Sequence, residues 1–66
     1  MEVQVNGKSR SLAGACTVAR LLEELNLAGQ PCAVEINASV VPKREHGERA
    51  LREGDTVEIV TLVGGG

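Results

Sequence analysis

From Thr56 the chain reads Thr-Val-Glu-Ile-Val-Thr-Leu-Val, and it closes on Gly64-Gly65-Gly66. A run this rich in β-branched residues is a strand, because branched side chains fit a pleated surface better than a helix. It is apolar almost throughout, so it needs neighbours to bury it, which places it at the centre of a sheet. Its two faces differ. Val57, Ile59, Thr61 and Val63 share one parity, and Glu58, Val60 and Leu62 share the other. The charge on Glu58 turns the second face to solvent. Val60 and Leu62 are then apolar residues on an exposed face, and with Glu58 they are the candidate partner-docking residues. The glycines beyond have no side chains and little conformational preference. Such an end suits threading into the narrow active site of another protein, although chain ends also fray for no functional reason. Three extended residues reach roughly 10 Å. The expected division is a folded domain over residues 1–63 and a flexible glycine tail over 64–66.

No Phe, Tyr or Trp occurs among the 66 residues, so the core must come from Val, Leu, Ile and Ala. A domain of this size buries only about 60% of the surface its unfolded chain exposes. It has little room to enclose a drug-sized ligand, which needs roughly 300–1,000 Å³. Autonomous catalysis is disfavoured on that ground, and no Ser-His-Asp set, paired acid or metal-ligand cluster argues for it. No catalytic residue and no metal site are expected. The net charge is −2, with acidic and basic residues mixed. Without a basic block, or an aromatic ring on which a base can stack, nucleic-acid binding is not expected. The apolar runs are too short to span a bilayer, and Met1-Glu2-Val3-Gln4 lacks the pattern of a signal peptide. A cytoplasmic protein without membrane contact is the expectation. Cys16 and Cys32 form no CxxC pair, and only His46 could join them on a metal. They are expected to be reduced, small buried hydrophobes, with a disulfide or a reactive thiol as the alternatives.

The remaining elements follow from periodicity. Val3 and Val5 alternate with Glu2 and Gln4, and Asn6-Gly7 is a strong hairpin signal, so a second strand over about Lys8 to Leu12 returns antiparallel until Gly14. Thr17 is a good N-cap for a helix over about Val18 to Leu25, where Val18, Leu21, Leu22 and Leu25 form one apolar face. Leu27 is expected to pack just beyond the helix, and Gly29 to stop it. Pro31 restarts extended chain. Val34 and Ile36 point inward, Asn37-Ala38-Ser39 turns, and Val40-Val41 is a short edge strand closed by Pro42. Lys43 to Arg52 reads as a charged loop with one short helical turn, pinned by Leu51, with His46 solvated rather than ligating. Glu53-Gly54-Asp55 is the last turn. The order β-β-α-β-β-short turn-β, with one helix across one sheet face, is an α+β roll.

This order, the Asn6-Gly7 hairpin, the Val34-Glu35-Ile36-Asn37 stretch followed by Val41-Pro42, the Leu51 to Ile59 segment and the glycine end together resemble the ubiquitin-like β-grasp sulfur carriers. Within them the chain resembles the ThiS family of thiamin thiazole synthesis, over its whole length. The resemblance implies a β-grasp fold with a mixed sheet of about five strands and one main helix on one face. It also implies a protein co-substrate rather than an enzyme. The Gly66 carboxylate would be adenylated by a ThiF-like adenylyltransferase that uses ATP and Mg²⁺, with no cofactor bound to the carrier itself. A persulfide from a cysteine desulfurase route would convert it to a thiocarboxylate, which a ThiG-like thiazole synthase consumes. Gly64 and Gly65 would be the tether. The molybdopterin-synthase small subunit shares the fold and the glycine logic, but it tends to carry Pro-Pro before a Val-Ala-Gly-Gly end. Carriers for molybdopterin or tRNA thiolation, and a non-catalytic β-grasp adaptor or protein modifier, are the alternatives.

Overall fold

A computed structural model describes residues 1–62. The elements follow one another as β1 (Glu2–Val5), β2 (Lys8–Ser11), α1 (Val18–Glu24), β3 (Cys32–Ile36), β4 (Ser39–Val41), a 3₁₀ turn (Lys43–Glu45) and β5 (Thr56–Thr61). The strands form one five-stranded sheet in the order β2-β1-β5-β3-β4. β5 pairs parallel with β1 and antiparallel with β3, and both hairpins are antiparallel. The last strand is therefore central, as its apolar sequence requires.

The inner face of the sheet carries Val3, Val34, Ile36, Val57 and Ile59, which join Val18, Leu21 and Leu22 of α1 in one buried cluster. Leu12, Cys16, Val41 and Leu51 close its margins, and Leu25 and Leu27 pack against it from the helix end. With no ring to fill space, the layers meet through branched aliphatic side chains. Thr61 shares the parity of Val57 and Ile59 but is exposed.

Capping explains where α1 starts and stops. The Thr17 hydroxyl accepts a hydrogen bond from Arg20 N–H at 3.2 Å. The loop after the 3₁₀ turn supplies the neighbouring acceptors: Val18 N–H donates to Arg49 C=O at 3.0 Å and Ala19 N–H to His46 C=O at 2.8 Å. All the early amides thus find partners. At the other end the expected stop at Gly29 is wrong. Asn26 takes the left-handed conformation instead (φ 61°), and Leu27 N–H reaches back to Leu22 C=O at 2.8 Å while Asn26 N–H bonds Glu23 C=O at 3.0 Å. This is a Schellman closure with asparagine where glycine is commoner. It also explains why Leu27, one residue on, turns back onto the core.

His46 is a second correction. It is buried, not solvated, and its Nε2 lies 3.1 Å from Val41 C=O. A carbonyl only accepts, so Nε2 carries the proton. The ring joins the loop to β4 while the His46 carbonyl holds α1, which leaves no room for a solvated role. Asp55 is also buried: its carboxylate accepts from Asn37 Nδ2 at 3.0 Å and from Arg52 N–H at 2.8 Å. Next to it Gly54 has φ 84°, a conformation that favours glycine.

Candidate functional site: the outer sheet face

Among the described residues, helix covers one side of the sheet only. On the other side cross-strand register sets the neighbours. Glu58 of β5 stands opposite Glu35 of β3, which stands opposite Val40 of β4. One row towards the strand end, Val60 stands opposite Ala33, and beyond it Leu62 N–H donates to Pro31 C=O at 2.9 Å. Val40 (69%), Val60 (59%) and Leu62 (53%) are the large exposed hydrophobics among the described residues. The result is an apolar strip, Val60 and Leu62 with Ala33 and Pro31 beside them, bordered at its base by two carboxylates. Like charges directly opposite each other weaken a sheet. Among the described residues neither Glu35 nor Glu58 has a cation within salt-bridge distance; the ion pairs are Arg10–Glu24, Arg20–Glu24 and Arg44–Glu45.

The structure therefore leaves the expected docking residues Glu58, Val60 and Leu62 all exposed, the first two on the outer face of β5 and Leu62 one residue past its end. It adds Glu35, Ala33 and Val40, which a reading of single strands missed. The parity of β3 was a usable signal, since Ala33 and Glu35 alternate with Val34 and Ile36. The β3–β4 register that adds Val40 is a tertiary fact. Gly64, Gly65 and Gly66, the expected tail and reactive position, lie outside the described residues, as does Val63.

The thiols form no part of this face. Both are free, Cys16 buried and Cys32 half-buried. Cys16 lines an open groove of about 410 Å³ together with Ala13, Gly14, Thr17, Arg20 and Glu24. Its Sγ donates to Thr17 C=O at 3.4 Å. Burial, helped by the Glu24 carboxylate, pushes the thiol above its ordinary value. A thiol held protonated is a weak nucleophile, so Cys16 acts as a core residue. Among the described residues no group of three His, Cys, Asp or Glu side chains is placed to hold a metal ion, and no helix is long and apolar enough to cross a membrane.

Comparison with known proteins decides the family. The ThiS family model matches residues 3–66. The chain belongs to the ThiS family. A sulfur carrier protein ThiS from Thermus thermophilus is 39% identical over 64 residues, which cover 97% of this chain and 98% of that one. The crystal structure of a thiamine biosynthesis protein, ThiS from Geobacter metallireducens, superposes with a TM-score of 0.84 at 32% identity over the full length of both chains. The ThiS β-grasp fold is thus the fold of this chain, with the expected mixed five-stranded sheet and one main helix among the described residues. A thiazole synthase from Paramagnetospirillum magneticum is 39% identical over 66 residues, all of this chain. The chain spans only 20% of that protein's length. A ThiS-like segment is therefore found both as a separate small protein and within a much longer thiazole synthase.

Proposed function

We infer that this chain is a sulfur carrier for thiamin thiazole synthesis, a protein co-substrate whose Gly66 carboxylate receives and hands on the sulfur. The observation that carries this reading is the reach of the ThiS family match, which takes in Gly64-Gly65-Gly66 along with the folded domain. The likeness to a segment of a thiazole synthase favours the thiamin route over molybdopterin or tRNA thiolation.

A carboxylate is a poor acyl electrophile, because oxide is its leaving group. Attack of the Gly66 carboxylate on the α-phosphorus of ATP, with loss of pyrophosphate, converts it to an acyl-adenylate. A partner adenylyltransferase supplies the nucleotide site and Mg²⁺. A persulfide sulfur from a desulfurase route displaces AMP, and attack by a second thiol on the resulting S–S bond leaves the terminal thiocarboxylate. A thiazole synthase is the consumer. In this scheme the outer face does the binding. Glycines lose more freedom on docking than other residues, so affinity comes from the Val60 and Leu62 strip, and the Glu35–Glu58 pair selects a partner surface that presents a cation beside an apolar patch.

Intact-mass measurement tests this. After incubation with ATP, a ThiF-like adenylyltransferase and a persulfide source, the carrier should gain the oxygen-to-sulfur mass difference, mapped to Gly66. A chain lacking Gly65 and Gly66 should gain nothing. An unchanged mass with a partner that is competent on its own carrier, or rescue of a molybdenum-cofactor auxotroph but not a thiamin auxotroph, overturns the reading.

A further inference from the structure

We propose that Asn6 is a positioning residue for the docking face: its side chain extends the β1–β5 ladder and holds the part of β5 that presents Val60. Backbone pairing between β1 and β5 ends at Val5 opposite Val57. Asn6 itself has turned into the hairpin, with φ 52°, yet its N–H still donates to Val57 C=O at 2.8 Å. Its carboxamide then takes over. Oδ1 accepts from Ile59 N–H at 2.7 Å, and Nδ2 donates to Ile59 C=O at 3.1 Å. One acceptor and one donor facing a single residue is what a neighbouring strand offers in a ladder. Asn6 provides it without a strand.

The location matters more than the bonds. In β5 the odd-numbered residues turn their backbone groups towards β1 and the even-numbered ones towards β3. The next odd residue is Thr61, and among the described residues no backbone partner from the β1 side pairs with it. On the β3 side pairing continues through Thr61 opposite Cys32 and on to Leu62. Ile59 is therefore the last point at which β5 is held from both sides. It sits between Glu58 and Val60, in the middle of the docking stretch. A second turn asparagine provides a contrast. Asn37, at φ 51°, accepts from Thr56 N–H through Oδ1 at 3.0 Å and donates its own N–H to Thr56 C=O at 2.8 Å. It grips the same strand, but at its first residue and from the β3 side, ahead of the Glu58–Leu62 stretch. Among the described residues only the β3 side pairs with Val60–Leu62, and the Asn6 clamp adds a second hold at Ile59. A partner that recognises the outer face thus meets a stretch restrained from both sides at its base, which lowers the ordering cost of docking.

This inference rests on the carrier reading, and its test separates the two. Asn6→Gly keeps the left-handed turn and the backbone bond to Val57 but removes the clamp. The expected result is faster amide exchange at Ile59, and a KM for the carrier in the adenylyltransferase reaction raised roughly five- to thirtyfold, the factor equivalent to ordering about one residue of backbone, with kcat unchanged. Asn6→Asp keeps the turn and one acceptor, and should raise KM less; it carries the same test if Asn6→Gly does not fold. Asn37→Gly, measured in parallel, should lower stability without moving KM. Unchanged exchange at Ile59, unchanged KM with faster exchange, or an equal rise in KM for Asn37→Gly each overturns the proposal. If the wild-type chain is not turned over at all, the carrier reading fails first and takes the proposal with it.

Discussion

Val57 and Ile59 are buried in the core cluster that α1 shares, whereas Val60 on the same strand and Leu62 just past its end stand in solvent. All four are aliphatic and three are β-branched, so hydrophobicity and strand propensity do not distinguish them. Parity does. The inner pair completes the single core of a domain that has no aromatic residue to spare. The outer pair contributes almost nothing to that core and lies beside two facing carboxylates. The strand thus turns its core residues and the proposed docking residues to opposite faces, and on that proposal a change to one should leave the other nearly untouched.

The comparison fails most visibly if the faces respond alike to truncation. Ile59→Ala should cost about 2–5 kcal/mol, the usual penalty for emptying a buried aliphatic site, which is a large share of the stability of a domain this small. Val60→Thr with Leu62→Thr keeps the strand and should move stability by no more than about 0.5 kcal/mol per site. The same double change should weaken the adenylyltransferase reaction by roughly tenfold or more in KM, because fully burying a Val or Leu side chain is worth about 1.5–3 kcal/mol. Urea unfolding and steady-state kinetics on both variants check this. Equal destabilisation by the two changes would abolish the distinction between the faces.

The same locality explains what the sequence made legible. Parity in β5, the Thr17 cap and the Val18, Leu21, Leu22, Leu25 stripe are each set within a few residues, and each holds in the structure. The centrality of β5 was readable because its own side chains demanded cover. What escaped depends on distant partners. Asp55 is buried because Asn37, 18 positions away, bonds its carboxylate. His46 reads as a loop residue until the Val41 carbonyl closes over it. Gly29 reads as the helix stop because glycine is the commoner left-handed residue, and only the return of Leu27 to the core shows that Asn26 is the position that turns. At the outer face Glu58, Val60 and Leu62 were visible by alternation. Glu35 and Val40 joined them only through register, and Asn6 showed a turn in the sequence but not the 53-residue reach of its side chain to Ile59.

The buried side can be sharpened by titration. The Cys16 thiol is held above its ordinary value of 9.0, first by burial and then by the Glu24 carboxylate. The unfolded chain therefore loses this proton at a lower pH than the folded one. The stabilisation is complete below the unfolded pKa and disappears as pH rises through the folded one. Urea midpoints for the wild type should accordingly fall as pH climbs past 9.0, and Cys16→Ala should show a flatter decline over the same range. Cys32 is common to both chains and cancels in the difference. Parallel declines would mean that the thiol is not linked to folding, and that the inner face is closed by packing alone.

The smallest effect belongs to the carboxylate pair and tests the outer face from the opposite direction. Glu35 and Glu58 stand directly opposite each other with no cation between them among the described residues. Repulsion across such a pair opposes the sheet by a few tenths of a kcal/mol, at most about 1, and salt weakens it. Glu35→Gln keeps the shape and removes the repulsion. Stability should rise by that small amount at low ionic strength, and the gain should shrink as salt is added. If the pair meets a cation on the partner, the same substitution should slow association, with a salt dependence shallower than that of the wild type. A variant that is more stable and also docks as fast would show that the outer face recognises its partner through Val60 and Leu62 alone. A variant that gains stability while losing association rate would show a charge arrangement that is unfavourable in the free domain and is satisfied only in the complex.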